Sequence, residues 1–198
     1  LGELADTIVL SGALTGSTIK AAAGNDSVKL TSAALSGTKE NTVYLGAGND
    51  TLSFSGAVDD TTIQSGSGNN FLDFNGTIGA TNKNVTITLG SGNDTVDFAG
   101  DISAINLNVG DGNNLIVTAE NQSNSDQLET ISAGSGTDTI KLSGAADVAD
   151  AFFGPISGVE VVDYANGGDD TLFIGLQAQA AGVRTIELSG TDGDVKAV

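Results

Sequence analysis

The residues best suited to chemistry in this chain are its carboxylates and the amides beside them, and they come in a pattern. Residues 45–50 read LGAGND. The stretch returns as AAAGND at 21–26, SGSGNN at 65–70, LGSGND at 89–94, VGDGNN at 109–114 and AGSGTD at 133–138, with looser copies GELAD at 2–6, GGDD at 167–170 and DGD at 192–194. Gly tolerates positive φ, and Asn and Asp cap turns through their own side chains. One chemistry open to the set is therefore a series of self-capped turns joined into an Asn/Asp ladder. The other is ionic. With 25 Asp and Glu against 7 Lys and Arg the formal charge is −18, and a chain this acidic favours cations or basic partners. Catalysis has little to draw on. His and Cys are absent and Arg184 is the single Arg. The pairs Asp59-Asp60 and Asp169-Asp170 are adjacent, so in a strand they would face opposite sides. We expect no enzyme and no catalytic residue.

The elements that position these turns follow from the spacing. The last residues of the copies fall at 6, 26, 50, 70, 94, 114, 138, 170 and 194. The steps are 20 and 24 in alternation up to 138, which divides residues 1–142 into three 44-residue units, 6–49, 50–93 and 94–137. Internal repeats of this kind signal a solenoid. Two positions after each anchor stand Ile8, Val28, Leu52, Leu72, Val96, Ile116, Ile140 and Leu172. Four after stand Leu10, Leu30, Phe54, Phe74, Phe98, Thr118, Leu142 and Ile174, and seven before stand Ile19, Val43, Ile63, Ile87, Leu107 and Ile131. Polar or small residues lie between, which is the period of a strand with one face inward. Each coil thus offers two short strands, one tight Gly-rich turn and one variable turn. We expect an all-β fold, a right-handed parallel β-roll or β-solenoid of about eight coils of 20–24 residues, with coils about 4.8 Å apart. Phe54, Phe74 and Phe98 should stack in its interior, and Gln64 should point outward.

Composition narrows the function. The acidic balance argues against nucleic acid, whose phosphates need a basic face. No apolar run approaches the ~20 residues of a membrane span. At 39% hydrophobic and 16% charged residues, the chain is not an acidic disordered tail. It begins at Leu1 without Met or a leader, which is expected of a processed product or a piece of something longer.

The phrases GAGNDTLSF, GSGNDTVDF and GSGTDTIKL, with the variants GSGNNFLDF and GDGNNLIVT, resemble the repeats-in-toxin nonapeptides, which form a calcium-bound parallel β-roll. The match covers residues 6–142 well and 143–198 loosely. The first Gly of the nonapeptide is replaced by Leu45, Ser65, Leu89, Val109 or Ala133, and the turn occurs once per coil. In that respect the chain is similar to calcium-dependent ice-binding and adhesin rolls. The resemblance implies Ca2+ along one edge, with Asp26, Asp50, Asp94 and Asp138 as carboxylate ligands and backbone carbonyls around Gly46, Gly48, Gly90, Gly92, Gly134 and Gly136. Asn70 and Asn114 stand where Asp is expected, so sites that use them should be weaker. The ice-binding relatives display ranks of Thr and Asn on this turn. Here the Asn column is present, but the Thr position holds Ala47, Ser67, Ser91, Asp111 and Ser135, which argues against ice binding.

Residues 143–198 break the period. We expect an irregular continuation of the solenoid with an insertion near 145–157, where ADVADAFF forms a helical turn or loop ended by Pro155. The phrases ISGVEVVDY and AAGVRTIELSG resemble large bacterial haemolysin-like and surface-layer proteins. The expected function is a non-catalytic structural protein of an extracellular assembly (surface layer, filament or adhesin rod) stabilised by calcium. It would be secreted or exposed on a cell or virion surface and would contact copies of itself, neighbouring surface proteins or glycans. A virion fibre of the same fold and a carbohydrate-active or ligand-binding β-helix are the alternatives.

Overall fold

The computed structural model describes residues 2–31, 35, 40–79, 84–100, 102–118, 128–143, 147–165, 170–189 and 194–198, with the side chains of 128 and 129 left aside. It is an all-β parallel solenoid of about seven turns. Seven coils each contribute one strand to each of two walls, and two further strands, Val161–Tyr164 and Thr185–Leu188, extend one of them alone. One wall has nine strands, from Thr7–Ser11 at one end to Thr185–Leu188 at the other; the second has seven, from Thr18–Ala23 to Ile156–Ser157. Strands next to each other in a wall come from successive coils and run parallel.

Alternation fixes which side chains enter. In Thr51–Phe54, Leu52 and Phe54 are buried, and in Asn41–Ala47 the buried apolar residues are Val43 and Leu45. Parallel pairing then stacks like on like. Ile8, Val28, Leu52, Leu72, Val96, Ile116 and Ile140 form one column in register. Ile19, Val43, Ile63, Ile87, Leu107 and Ile131 form another. The Phe ladder is present: the rings of Phe54 and Phe74 stack at 5.1 Å and those of Phe74 and Phe98 at 5.3 Å.

Two features depart from the sequence reading. First, the variable turn hides a third apolar column. Leu14, Leu35, Val58, Ile78 and Ile102 form single parallel bridges in succession, and Leu35, Val58 and Ile78 are almost wholly buried. Each offers one apolar residue among Ser, Gly, Ala and Thr, too little for a strand-length alternation. Second, Leu172 and Ile174 do not continue the columns of Ile140 and Leu142. Val162 and Tyr164 do, followed by Ile186 and Leu188. Thr171–Ile174 instead pairs with Asp194–Ala197 in a separate two-stranded sheet, and Leu172 bridges Val148. The repeats at 170 and 194 therefore do not continue the nine-stranded wall, although Asp-rich turns precede strands in both places.

The insertion holds a 3-10 turn, Asp150–Phe153, followed by Gly154 and Pro155, and Phe153 is buried. A short α-helix, Leu176–Ala181, packs against it and against Ile156–Ser157, the last strand of the seven-stranded wall. The run LQAQAA ended by Gly182, whose φ is 107°, carries an ordinary helix-stop signal. The start of this helix is capped from the insertion. The Asp150 carboxylate accepts the N–H groups of Gly175, Gln177 and Ala178 at 2.8, 3.1 and 3.0 Å. Desolvation raises the Asp150 pKa, but these three bonds outweigh it and hold the carboxyl below its usual range.

On the outside of the nine-stranded wall Asp73 and Asp97 are register partners. Partial burial, and then the neighbouring Asp73 charge, push the Asp97 carboxyl above its usual range. A raised carboxyl favours the fold when protonated. Its contribution is complete below the ordinary carboxyl range and is lost as pH rises through the folded value. Asp97→Asn is therefore expected to be more stable than wild type at neutral pH, by less than about 1 kcal/mol because the group is half-exposed and screened. The gain should vanish near pH ~3. Urea melts at the two pH values check it, and an equal gain at both would contradict the charge argument.

Candidate metal centre

The Gly-rich turns stack along one edge, and each Asn-Asp pair ties its turn to both neighbours. The Asp side reaches back. The N–H groups of Asp6, Asp26, Asp50, Asn70, Asp94 and Asn114 donate to Oδ1 of Asp26, Asp50, Asn70, Asp94, Asn114 and Asp138 of the next coil, at 2.7–3.1 Å. The Asn side reaches forward. The N–H groups of Asn49, Asn69, Asn93, Asn113 and Thr137 donate to Oδ1 of Asn25, Asn49, Asn69, Asn93 and Asn113 of the preceding coil, at 2.7–2.8 Å. The outer ladder is exposed. The inner one is buried, with Asp26, Asp50, Asn70, Asp94, Asn114 and Asp138 all at 2% exposure or less.

Close stacking of the turns requires Gly. A Cβ on Gly48 would lie 1.9 Å from the Gly24 carbonyl oxygen, and one on Gly92 would lie 2.2 Å from that of Gly68. Both have positive φ, as does Gly136, whereas Gly90 and Gly134 do not. Gly90 is still required by space, since its Cβ would meet the Gly66 carbonyl oxygen at 2.0 Å.

The inner ladder is satisfied at the Asn coils and unsatisfied at the Asp coils. Asn70 donates its amide N–H2 to the Gly68 carbonyl and to Asp94 Oδ1, both at 3.0 Å. Asn114 donates to Asp138 Oδ1 at 2.8 Å and to the carbonyls of Gly110 and Gly112 at 3.2 and 3.4 Å. Asp has no such donor. Oδ2 of Asp26, Asp50, Asp94 and Asp138 is buried without a hydrogen-bond partner. Burial pushes the Asp50, Asp94 and Asp138 carboxyls above their usual range, against the N–H bonds that lower them. The Asp26 charge adds to the rise at Asp50. A buried charged oxygen without a partner is costly, and each of these coils has one.

The donor set fits a hard cation. Carboxylate oxygens and glycine carbonyls are among the oxygen ligands that calcium takes, six to eight at a time. The structure gathers Asp26, Asp50, Asp94 and Asp138, with the turns of Gly46, Gly48, Gly90, Gly92, Gly134 and Gly136, on one edge. Among the described residues no three His, Cys, Asp or Glu side chains lie close enough to hold a metal by themselves, so backbone carbonyls would supply most ligands. A further member of the row, missed in the sequence, is Glu160. Its Oε2 accepts the Asp138 N–H at 3.0 Å, which is the position of the next anchor. A Glu without a Gly-rich turn before it carries no repeat signal. Asp194 begins one strand of the small sheet and Asp170 stands just before the other, so both lie outside this row.

Two other surfaces stand out. A trough of about 390 Å³ is lined by Glu40, Asp60, Thr62, Asn84 and Thr86, which holds two carboxylates but no aromatic ring among its described lining. A rank of Thr18, Thr42, Thr62 and Thr86, continued by Asn106 and Thr130, runs down the outside of the seven-stranded wall. This Thr column lies on the wall strands and not on the Gly-rich turns, where a Thr column is absent. Its companion column, Lys20, Tyr44, Gln64, Thr88 and Asn108, is uneven in size. No family model, curated protein or solved structure matches the chain.

Proposed function

We propose that this chain is a non-catalytic, calcium-stabilised segment of an extracellular structural assembly, repeats-in-toxin-like in its turns. The observation that supports it is the row of buried, partnerless Oδ2 atoms of Asp26, Asp50, Asp94 and Asp138 beside stacked glycine carbonyls. These four residues and the carbonyls of their turns would hold the ions. Calcium would supply the positive charge that the buried carboxylates lack. The protein's own part is to stack the turns at strand spacing and to exclude water from the inner ladder. A charge of −18 opposes like-to-like packing, and bridging cations relieve it. Thr7–Ser11 and Thr185–Leu188 are the edge strands of the nine-stranded wall among the described residues, and an edge strand can pair with a further coil or with another chain. A carbohydrate-active reading would need an aromatic-lined groove with convergent carboxylates, and the trough at Glu40 and Asp60 provides only the carboxylates. Secretion and surface exposure, on a cell or a virion, follow as expectations from the calcium dependence and the polar outer ladder. Among the described residues no helix is long and apolar enough to cross a membrane.

The test combines circular dichroism and sedimentation on the same samples across a calcium titration after chelation. Calcium should raise the melting temperature, sharpen the β spectrum and increase the sedimentation coefficient. An unchanged spectrum and melting point would remove the metal from the proposal and leave a self-capped ladder. A well-folded monomer in millimolar calcium would overturn the assembly part.

A further inference from the structure

Resting on the calcium reading above, we infer that Asn70 and Asn114 are not weak metal ligands but built-in replacements for the ion, so that calcium loads only the Asp coils. The four Asp and two Asn occupy one column and make the same Oδ1 contact to the preceding coil. They differ in the second side-chain atom. In the Asp coils that atom is an acceptor with no partner. In the Asn coils it is a donor, and it is used. Asn70 Nδ2 bonds the Gly68 carbonyl and the carboxylate of Asp94, and Asn114 Nδ2 bonds the Gly112 carbonyl and the carboxylate of Asp138. These are a carbonyl of the turn and a carboxylate of the next coil, the two kinds of oxygen a cation would collect.

The amide orientation is fixed by its surroundings. Oδ1 of Asn70 accepts the Asp50 N–H and Oδ1 of Asn114 accepts the Asp94 N–H. A flipped amide would set N–H against N–H on one side and oxygen against carbonyl and carboxylate on the other. The amide therefore cannot turn an oxygen toward an ion without losing its bond to the preceding coil. The carbonyls of Gly24, Gly48 and Gly92 receive no such amide, because the residue two positions on is Asp.

The chain then alternates. Coils anchored at Asp94 and Asp138 need an ion, and those anchored at Asn70 and Asn114 are complete without one. Asp26 and Asp50 are the one pair of neighbouring charged anchors among these six, and the Asp26 charge acts on Asp50. The amide coils would keep part of the ladder closed when calcium is low, as internal supports between the segments that open.

The test is to count bound calcium by equilibrium dialysis and to melt each variant in chelator and in calcium. Asn70→Asp removes the plug and creates a site. It should bind one more calcium per chain than wild type and melt lower in chelator, with recovery in calcium. Asp94→Asn installs a plug, with Nδ2 placed to bond the Gly92 carbonyl. It should bind one fewer calcium and melt higher than wild type in chelator. The second variant needs one ion fewer than wild type, so it remains informative if the first does not fold. An unchanged calcium count in folded Asn70→Asp, or a lower melting point of Asp94→Asn in chelator, overturns the inference while wild-type binding leaves the calcium reading intact. A wild type that binds no calcium overturns both.

Discussion

Gly46→Ala is expected to cost at least about 4 kcal/mol, in the range where point mutants become exceptional. The methyl group would lie 1.4 Å from the carbonyl oxygen of Ala22 and 2.5 Å from its carbon, in the coil directly before. Both atoms are backbone, so no rotamer change can make room. Relief requires the Ala22–Gly46 pairing to open, and with it part of the ladder between Thr18–Ala23 and Asn41–Ala47. Gly46 also has a φ of 111°, which adds strain of its own. The two causes can be separated. Gly12 has a similar φ of 102° but nothing within 4 Å of the added Cβ. Gly12→Ala should lose only the conformational term, about 1–2 kcal/mol. Urea melts of both variants in chelator keep metal binding out of the comparison. Equal losses would mean that backbone conformation alone explains the glycine column and that coil stacking has more slack than these distances allow.

Phe74→Ala is expected to cost about 3–5 kcal/mol, the range for deleting a buried ring. Phe74 is fully buried between Phe54 and Phe98, with interplanar angles of 11° and 21°. Removing it opens a void in a column that cannot collapse, because the backbone above and below is held by the wall hydrogen bonds. Both stacking contacts are lost as well, each worth about 0.5–1.5 kcal/mol beyond area, which places the loss near the top of the range. Phe71 supplies the control within the same strand. It is 41% exposed and faces outward, so Phe71→Ala and Gln64→Ala should stay within about 0.5 kcal/mol of wild type. A slip of one residue would exchange the inward and outward sets. Comparable losses at Phe71 and Phe74 would show that the register is wrong.

The sequence by itself determined the coil and its stacking from Asp6 to Leu142. The reason is physical: parallel coils place residue n over its counterpart 20 or 24 positions on, so an apolar column in space is a periodic column in sequence. The Phe ladder, the outward Gln64 and the alignment of Asp26, Asp50, Asn70, Asp94, Asn114 and Asp138 were all legible for that reason. The tertiary structure decided what periodicity does not encode. It recruited Glu160 as the next anchor and Val162 and Tyr164 as the next core pair, since pairing with Thr139–Leu142 requires the right distance around the coil, not a Gly-rich turn. It buried Leu35, Val58 and Ile78 as a third column, because one apolar residue per coil suffices once neighbours stack. Most of all, it decided which atom of each Asn and Asp is left over. The type of residue in the column can be read from the chain, but that Nδ2 of Asn70 closes on Gly68 while Oδ2 of Asp94 meets nothing depends on how far one turn lies from the next.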